Sequence, residues 1–199
     1  MNIKTYLTTI AISSLFLVQT SLAGTPIDLN KSQVEWLGKK ITGQHNGNLQ
    51  LEKGVVEIDN GTLTGGRFVF DMKSIKVLDI EDSKWNKKLE KHLKNDDFFG
   101  VKQYPFAVFE ITSVVPLKKA GPDDENYELK GELTIKGITH TVGFMSRVDV
   151  KSKHSSASGT IIVDRTLYGI RYKSGKFFDG LGDKAIYDDF AISFEVVTK

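Results

Sequence analysis

The chain has 199 residues, 27 basic and 25 acidic side chains, a formal net charge of +2 and no cysteine. So even a balance sets up no field to gather nucleic acid or an acidic polymer. The missing cysteine excludes disulfides and lipid attachment at a leader cysteine, so stability must come from core burial.

The first 23 residues stand apart. They carry one early cation, Lys4, then an apolar run from about Tyr6 to Val18, and end in Ser21-Leu22-Ala23. The run is shorter than the ~20 residues of a membrane span, no charged stop-transfer flank follows it, and the small residues suit a signal peptidase. A secretory signal peptide cleaved after Ala23 is expected, leaving residues 24–199 as one domain, periplasmic or secreted, with no stable membrane span.

Period-two alternation of apolar and polar residues dominates from there, the pattern of strands with one buried face. Weak strands cover about Val34–Lys39 and Leu49–Glu57. Asn60-Gly61 is a hairpin turn signal, followed by a strand with Phe68, Phe70 and Met72 on one face. The rule then breaks. In Ser83–Lys94, Trp85, Leu89 and Leu93 recur every fourth residue, Asp82 or Ser83 can cap the start, and Lys84, Lys87, Lys88, Lys91 and Lys94 lie elsewhere, which predicts an amphipathic helix. In the segment HLKNDDFFGVKQYPF that closes it, Asp96-Asp97 is expected to open a further short helical turn. At least one of Phe98 and Phe99 should then point inward, with Pro105 just ahead of a strand carrying Ala107, Phe109 and Ile111. Alternation is clearest over Tyr127–Lys136. After the Lys136-Gly137 turn it resumes at Val142, Phe144 and Val148, then weakly over Ser156–Asp164, and again at Phe190, Ile192, Phe194 and Val196. About eight antiparallel strands with one apolar face make a sandwich or a closed barrel. The helix favours the barrel, since its Trp85/Leu89/Leu93 stripe could cover an open end.

Three blocks add a resemblance. His92–Phe99 with Val101, Tyr104-Pro105 and Phe109, then Gly131–Thr139 with Val142, then Asp164–Ile170, resemble in order the signatures of the YceI-like family of exported lipid-binding proteins. The similarity runs from about Leu29 to the C-terminus. It implies an all-β fold, an eight-stranded antiparallel lipocalin-like barrel with one inserted amphipathic helix, around an elongated apolar tunnel for a polyisoprenoid or other long amphiphile. Two departures stand out: the loop Gly175–Lys184 exceeds the simplest family pattern, and Trp36 lacks the Gly-x-Trp context of lipocalins proper.

A long tail is held by apolar surface at roughly 25 cal/mol per Å² removed from water, so its site is a sleeve of aromatic and aliphatic side chains. Candidates are Trp36, Phe68, Phe70, Leu89, Phe98, Phe99, Phe109, Leu133, Phe144 and Tyr168. Each taken singly is more simply barrel filling. Together they say more, because 12 phenylalanines, 6 tyrosines and 2 tryptophans, less Phe16 and Tyr6 of the leader, are many for one small barrel. Arg165, with Arg171, Lys173 and Lys176 near it in sequence, is a candidate anchor for an anionic head group, the alternative being a structural role at the Tyr168-Gly169 turn. The lysine face of the helix admits a contact with anionic lipid or plain solvation. His92 falls on the helix's apolar side, where a hydrogen-bonded structural role is the simpler reading and a place in a site the alternative. His45, His92, His140 and His154 show no ligand spacing, the acidic loop at Asp123 lacks calcium-loop spacing, and the Gly175–Gly182 glycines open no strand–helix unit, so neither metal nor cofactor is expected.

The function these residues favour is non-catalytic binding, carriage or sequestration of a long-chain amphiphile such as a polyisoprenoid or isoprenoid quinone. An exported lipid hydrolase would need a nucleophile elbow or a His–carboxylate pair, and neither is visible in the sequence. A structural barrel serving a protein partner is the other alternative. Oligomeric state, monomer or homodimer, is left open.

Overall fold

The computed structural model describes residues 24–118, 120, 121 and 123–199. The expected signal peptide and its cleavage site at Ala23 lie outside the described residues.

The described residues form nine strands and one α-helix, with short 3-10 turns at Arg165–Tyr168 and Gly182–Lys184: β1 (Thr25–Pro26), β2 (Gln33–Lys40), β3 (Gly43–Asp59), β4 (Thr62–Val77), α1 (Ser83–Lys94), β5 (Phe106–Pro116), β6 (Tyr127–Ile135), β7 (Ile138–Asp149), β8 (Ser156–Asp164) and β9 (Ile186–Val197). From β2 to β9 every strand pairs antiparallel with the next, and β9 pairs back onto β2, closing an eight-stranded barrel. The two-residue β1 extends the edge of β3 beyond β2. Closure gives every strand from β2 to β9 a partner on both sides for part of its length.

Local chemistry sets the hairpins. Asn60 (φ 49°) and Gly61 (φ 77°) take the two left-handed positions of a tight turn between β3 and β4, and Lys136 (φ 53°) and Gly137 (φ 73°) do the same between β6 and β7. β3 and β4 run far beyond the short apolar patches that signal them, because long polar stretches still pair across the ladder. Their register shifts three times, bending the long ribbon around the barrel.

Helix α1 begins where expected. The Asp82 carboxylate accepts from the Lys84 and Trp85 amides at 2.9 and 3.0 Å. Its orientation corrects the sequence reading. Asn86 donates to the carbonyls of Val77 and Ile80, and Glu90 accepts from the Val77 amide, so a polar pair seats the helix where β4 runs out of ladder partners. Leu93 still packs inward, but Trp85 is turned out, 55% exposed beneath the Lys88 ammonium. The Trp85/Leu89/Leu93 stripe is therefore not a cover for the barrel's end. After α1 the chain makes hydrogen-bonded turns rather than the further helical turn expected at Asp96-Asp97. The amides of Phe98 and Gly100 both donate to the Asn95 carbonyl.

Inward residues at period two form the core, with Val163, Tyr168 and Ile170 almost wholly buried. Across the barrel Phe68 stacks on Phe109, Phe109 leans on Phe144, and Phe144 meets Phe194 edge-on at centroid separations of 6.4, 5.7 and 5.7 Å.

Candidate functional site

Three apolar cavities follow one another inside the barrel. The largest, about 130 Å³, lies at the α1 end and is lined among others by Trp36, Phe70, Leu93, Phe98, Phe99, Phe109, Leu133, Ile161, Phe190 and Ile192. A central one of about 60 Å³ is lined among others by Val34, Leu51, Phe68, Phe144 and Phe194. Phe70, Phe109, Ile161 and Ile192 border both, so these four side chains form a waist in one lumen. A third pocket of about 20 Å³ shares Val56, Leu63, Ala157 and Val196 with the central one and reaches the far end, near Ile58, Val150 and Thr198.

Sequence spacing explains the sleeve. On each strand every second residue faces in, and the strands supply aromatic or β-branched side chains there. Gly131 interrupts this series on β6 because the Phe109 ring occupies its place: a Cβ on Gly131 would lie 2.5 Å from two of that ring's carbons. The charged members of the lining, Lys39, Arg165 and Asp189, belong with Tyr187 to the α1-end cavity, and the hydroxyl residues Ser155, Ser156 and Thr198 to the far one. The central cavity has none.

Of the residues singled out in the sequence, Trp36, Phe70, Phe98, Phe99, Phe109 and Leu133 border the first cavity, and Phe68 and Phe144 the second. Phe98 and Phe99 both face it. Phe98 is also packed by His92 and Tyr172, while Phe99 meets Phe190 edge-on. Trp36 sits at the rim, its indole N–H donating to the Lys76 carbonyl at 3.1 Å. Leu89 and Tyr168 line neither cavity. Leu89 is half-buried on α1. Tyr168 is packed behind the wall against His140, and its hydroxyl has no hydrogen-bond partner. Burial first, and Glu132 second, push that phenol up to about 12.

Arg165 is 4% exposed, and its guanidinium is already committed. It donates to the carbonyls of Tyr187, Ile170 and Ile186 at 3.0, 2.9 and 3.0 Å, and reaches the Asp188 carboxylate at 3.4 Å. Burial lowers its pKa, opposed by Asp188 and Asp164. A fork so occupied pins strand ends together and leaves little for a phosphate. Lys176 bridges Asp164 at 2.9 Å and Asp188 at 3.5 Å. Burial by itself would raise the Asp164 carboxyl, but hydrogen bonds from Thr166 and Lys176 outweigh it and hold it below the carboxylate range. The cationic group gathered around Arg165 is thus a clasp holding the loop after β8 against β9.

Folding also makes two contacts invisible in the sequence. His45 meets Asp79 at 2.8 Å and His92 meets Asp97 at 3.2 Å. Both tie neighbouring segments together on the outside, away from the lumen. Among the described residues no group of three or more His, Asp or Glu could hold a metal ion, and no helix is long and apolar enough to cross a membrane.

Lining residues that sequence reasoning passed over, such as Ile161, Ile186, Phe190 and Ile192, lie at the inward positions of β8 and β9. Their period-two spacing was the available signal.

Similarity to known proteins agrees with this architecture. The chain is 29% identical over 142 residues to the UPF0312 protein plu2095 of Photorhabdus laumondii, covering 66% of this chain and 69% of that one. It is 33% identical over 94 residues to the UPF0312 protein SA2479 of Staphylococcus aureus, covering 44% and 49%. Among solved structures it superimposes on BcnA of Burkholderia cenocepacia with a TM-score of 0.66 at 22% identity, covering 87% of this chain and 99% of that one. A polyisoprenoid binding domain from Saccharophagus degradans, implicated in plant cell wall breakdown, gives a TM-score of 0.63 at 11% identity, covering 88% and 98%. The family model for the YceI-like domain matches residues 26–198, and the chain belongs to that family.

Proposed function

We propose that the protein binds and carries a long-chain amphiphile, a polyisoprenoid or similar lipid, without chemically altering it. The observation that carries this reading is the lumen: three adjoining cavities walled mainly by hydrocarbon, with charged groups only at the α1 end. Water gains little there, because a void of this kind offers it no hydrogen-bond partners, and apolar cavities near 150 Å³ stay dry and take up hydrocarbon. A tail threading beyond the first cavity must turn the waist side chains Phe70 and Phe109, and the burial of each further methylene, about 0.8 kcal/mol, drives that. Trp36, Phe68, Phe70, Phe98, Phe99, Phe109, Leu133 and Phe144 contact the tail, Leu89 and Tyr168 support the wall, and Arg165 orders the end where the head group rests. The solved polyisoprenoid binding domain with the same fold supports the choice of ligand class. Export with cleavage after Ala23 fits the leader pattern and a lipid shuttled outside the cytoplasm.

Native extraction of the purified mature protein, followed by mass spectrometry, tests the reading. A stoichiometric isoprenoid or other long-chain amphiphile is expected. Protein that yields none, and whose melting temperature is unmoved by added polyprenols or polyprenyl phosphates, would refute it.

A further inference from the structure

We propose that the amphiphile exchanges sideways, through a breach in the barrel wall between β2 and β9, with Gly38 as its threshold and Arg165 as the residue that anchors its β9 edge. The inference rests on the lumen reading above and adds the route.

Pairing between β2 and β9 runs regularly from Gln33↔Glu195 to Gly38↔Phe190, then resumes at Lys40↔Ile186. Lys39 alone therefore faces Tyr187, Asp188 and Asp189, and the surplus β9 residues push the two strands apart locally. The cavity lining shows what this does. Trp36 and Ile186 face inward on these strands, whereas Lys39, Tyr187 and Asp189 are exposed, yet all five border the α1-end cavity. Exposed and inward residues of this wall thus border one cavity at the place where the ladder is broken. Gly38 lies on the inward face with Val34 and Trp36, and a Cβ there would meet no heavy atom within 4 Å. The inward glycines Gly131 and Gly159 are instead filled by the rings of Phe109 and Phe194.

The breach does not leave β9 unsatisfied. β8 ends opposite Asp189, where the chain turns away at Arg165. The Arg165 guanidinium takes the carbonyls of Ile186 and Tyr187 in place of a strand partner. The start of β9 is thus held on its β8 side without a further strand, which fixes that edge of the breach. The ligand class that fits is a single-tailed amphiphile entering tail first. Its head stays at the rim with Lys39 and Asp189, since the lumen offers a polar head no partners.

The test uses cis-parinaric acid, a polyene fatty acid that fluoresces when bound, with Gly38→Phe and Gly38→Cys. Gly38→Phe should slow uptake about ten-fold or more, and slow release of probe loaded during refolding by a similar factor. Slowed release separates a blocked route from lost space, because mere filling of the lumen would speed it. In Gly38→Cys, the chain's single thiol should react readily with a small methanethiosulfonate when empty and be protected when loaded. Gly38→Phe exchanging at the wild-type rate, or equal labelling of empty and loaded Gly38→Cys, overturns the portal. A wild type that takes up neither this probe nor a polyprenol overturns the lumen reading itself.

Discussion

At the scale of single residues, the buried side chains of Arg165 and Tyr168 behave in opposite ways. Arg165 commits most of its donors, so its removal leaves the carbonyls of Tyr187, Ile170 and Ile186 without this partner. Arg165→Met should cost about 3 kcal/mol or more in urea unfolding, since each abandoned buried acceptor is worth ~1–3 kcal/mol. A lipid head-group anchor would instead leave stability unchanged and weaken binding. Tyr168 is the reverse case, a buried hydroxyl with nothing to bond. Tyr168→Phe should change stability by less than about 1 kcal/mol near neutral pH, because the hydroxyl contributes no bond. With its pKa pushed up to about 12, the folded chain keeps this proton where the unfolded chain has lost it. The contribution is full below about pH 10 and is lost as pH climbs through the folded value, and Tyr168→Phe should remove that alkaline slope in urea titrations.

At the scale of elements, helix α1 is held by polar contacts rather than by its apolar stripe. Asn86 bonds the carbonyls of Val77, at the end of β4, and of Ile80 in the segment that follows, whereas Trp85 lies 55% exposed. Asn86→Ala should therefore cost about 1–2 kcal/mol, and Trp85→Ala less than about 0.5 kcal/mol. Comparable losses from both, measured by thermal or urea unfolding, would restore the apolar stripe as the docking face. The helix's last turn carries Lys91, His92 and Lys94, which complement the carbonyl end of its dipole. His92 also packs against Phe98 and Tyr172, coupling the helix to the turn that presents Phe98 and Phe99 to the cavity.

At the scale of the whole molecule, a lumen with a phenylalanine waist makes stability and occupancy one equilibrium. Ligand that binds only the folded barrel raises its stability by mass action. Stripping lipid from the natively purified protein should lower the melting temperature, and returning the extract should restore it. Phe109→Ala tests the waist, because that ring borders both main cavities. In the lipid-free protein it should cost about 3–5 kcal/mol, the usual penalty for a void left by a deleted ring. A long tail threaded through the enlarged lumen should recover part of that loss. An equal deficit with and without lipid would show that the tail does not cross the waist.

By itself the sequence determined the elements that local rules govern. Asn60-Gly61 and Lys136-Gly137 make turns because few residues tolerate those backbone angles, Asp82 and Ser83 narrow the start of α1 to two positions, and period-two apolar positions mark the inward face of β4 to β7. The three ordered blocks also pointed to the family and thereby to the barrel. What only the tertiary structure decided depends on which groups meet. Helix rotation was set by the unpaired end of β4, a backbone demand that no hydrophobic period records. The role of Arg165 was set by the end of β8, which left the carbonyls of β9 needing donors. The His45–Asp79 and His92–Asp97 pairs form between segments whose proximity follows from pairing register and turn geometry, not from spacing along the chain. The breach beside Gly38 arises from a two-residue mismatch between strands far apart in sequence, which exists only once β9 closes the barrel on β2.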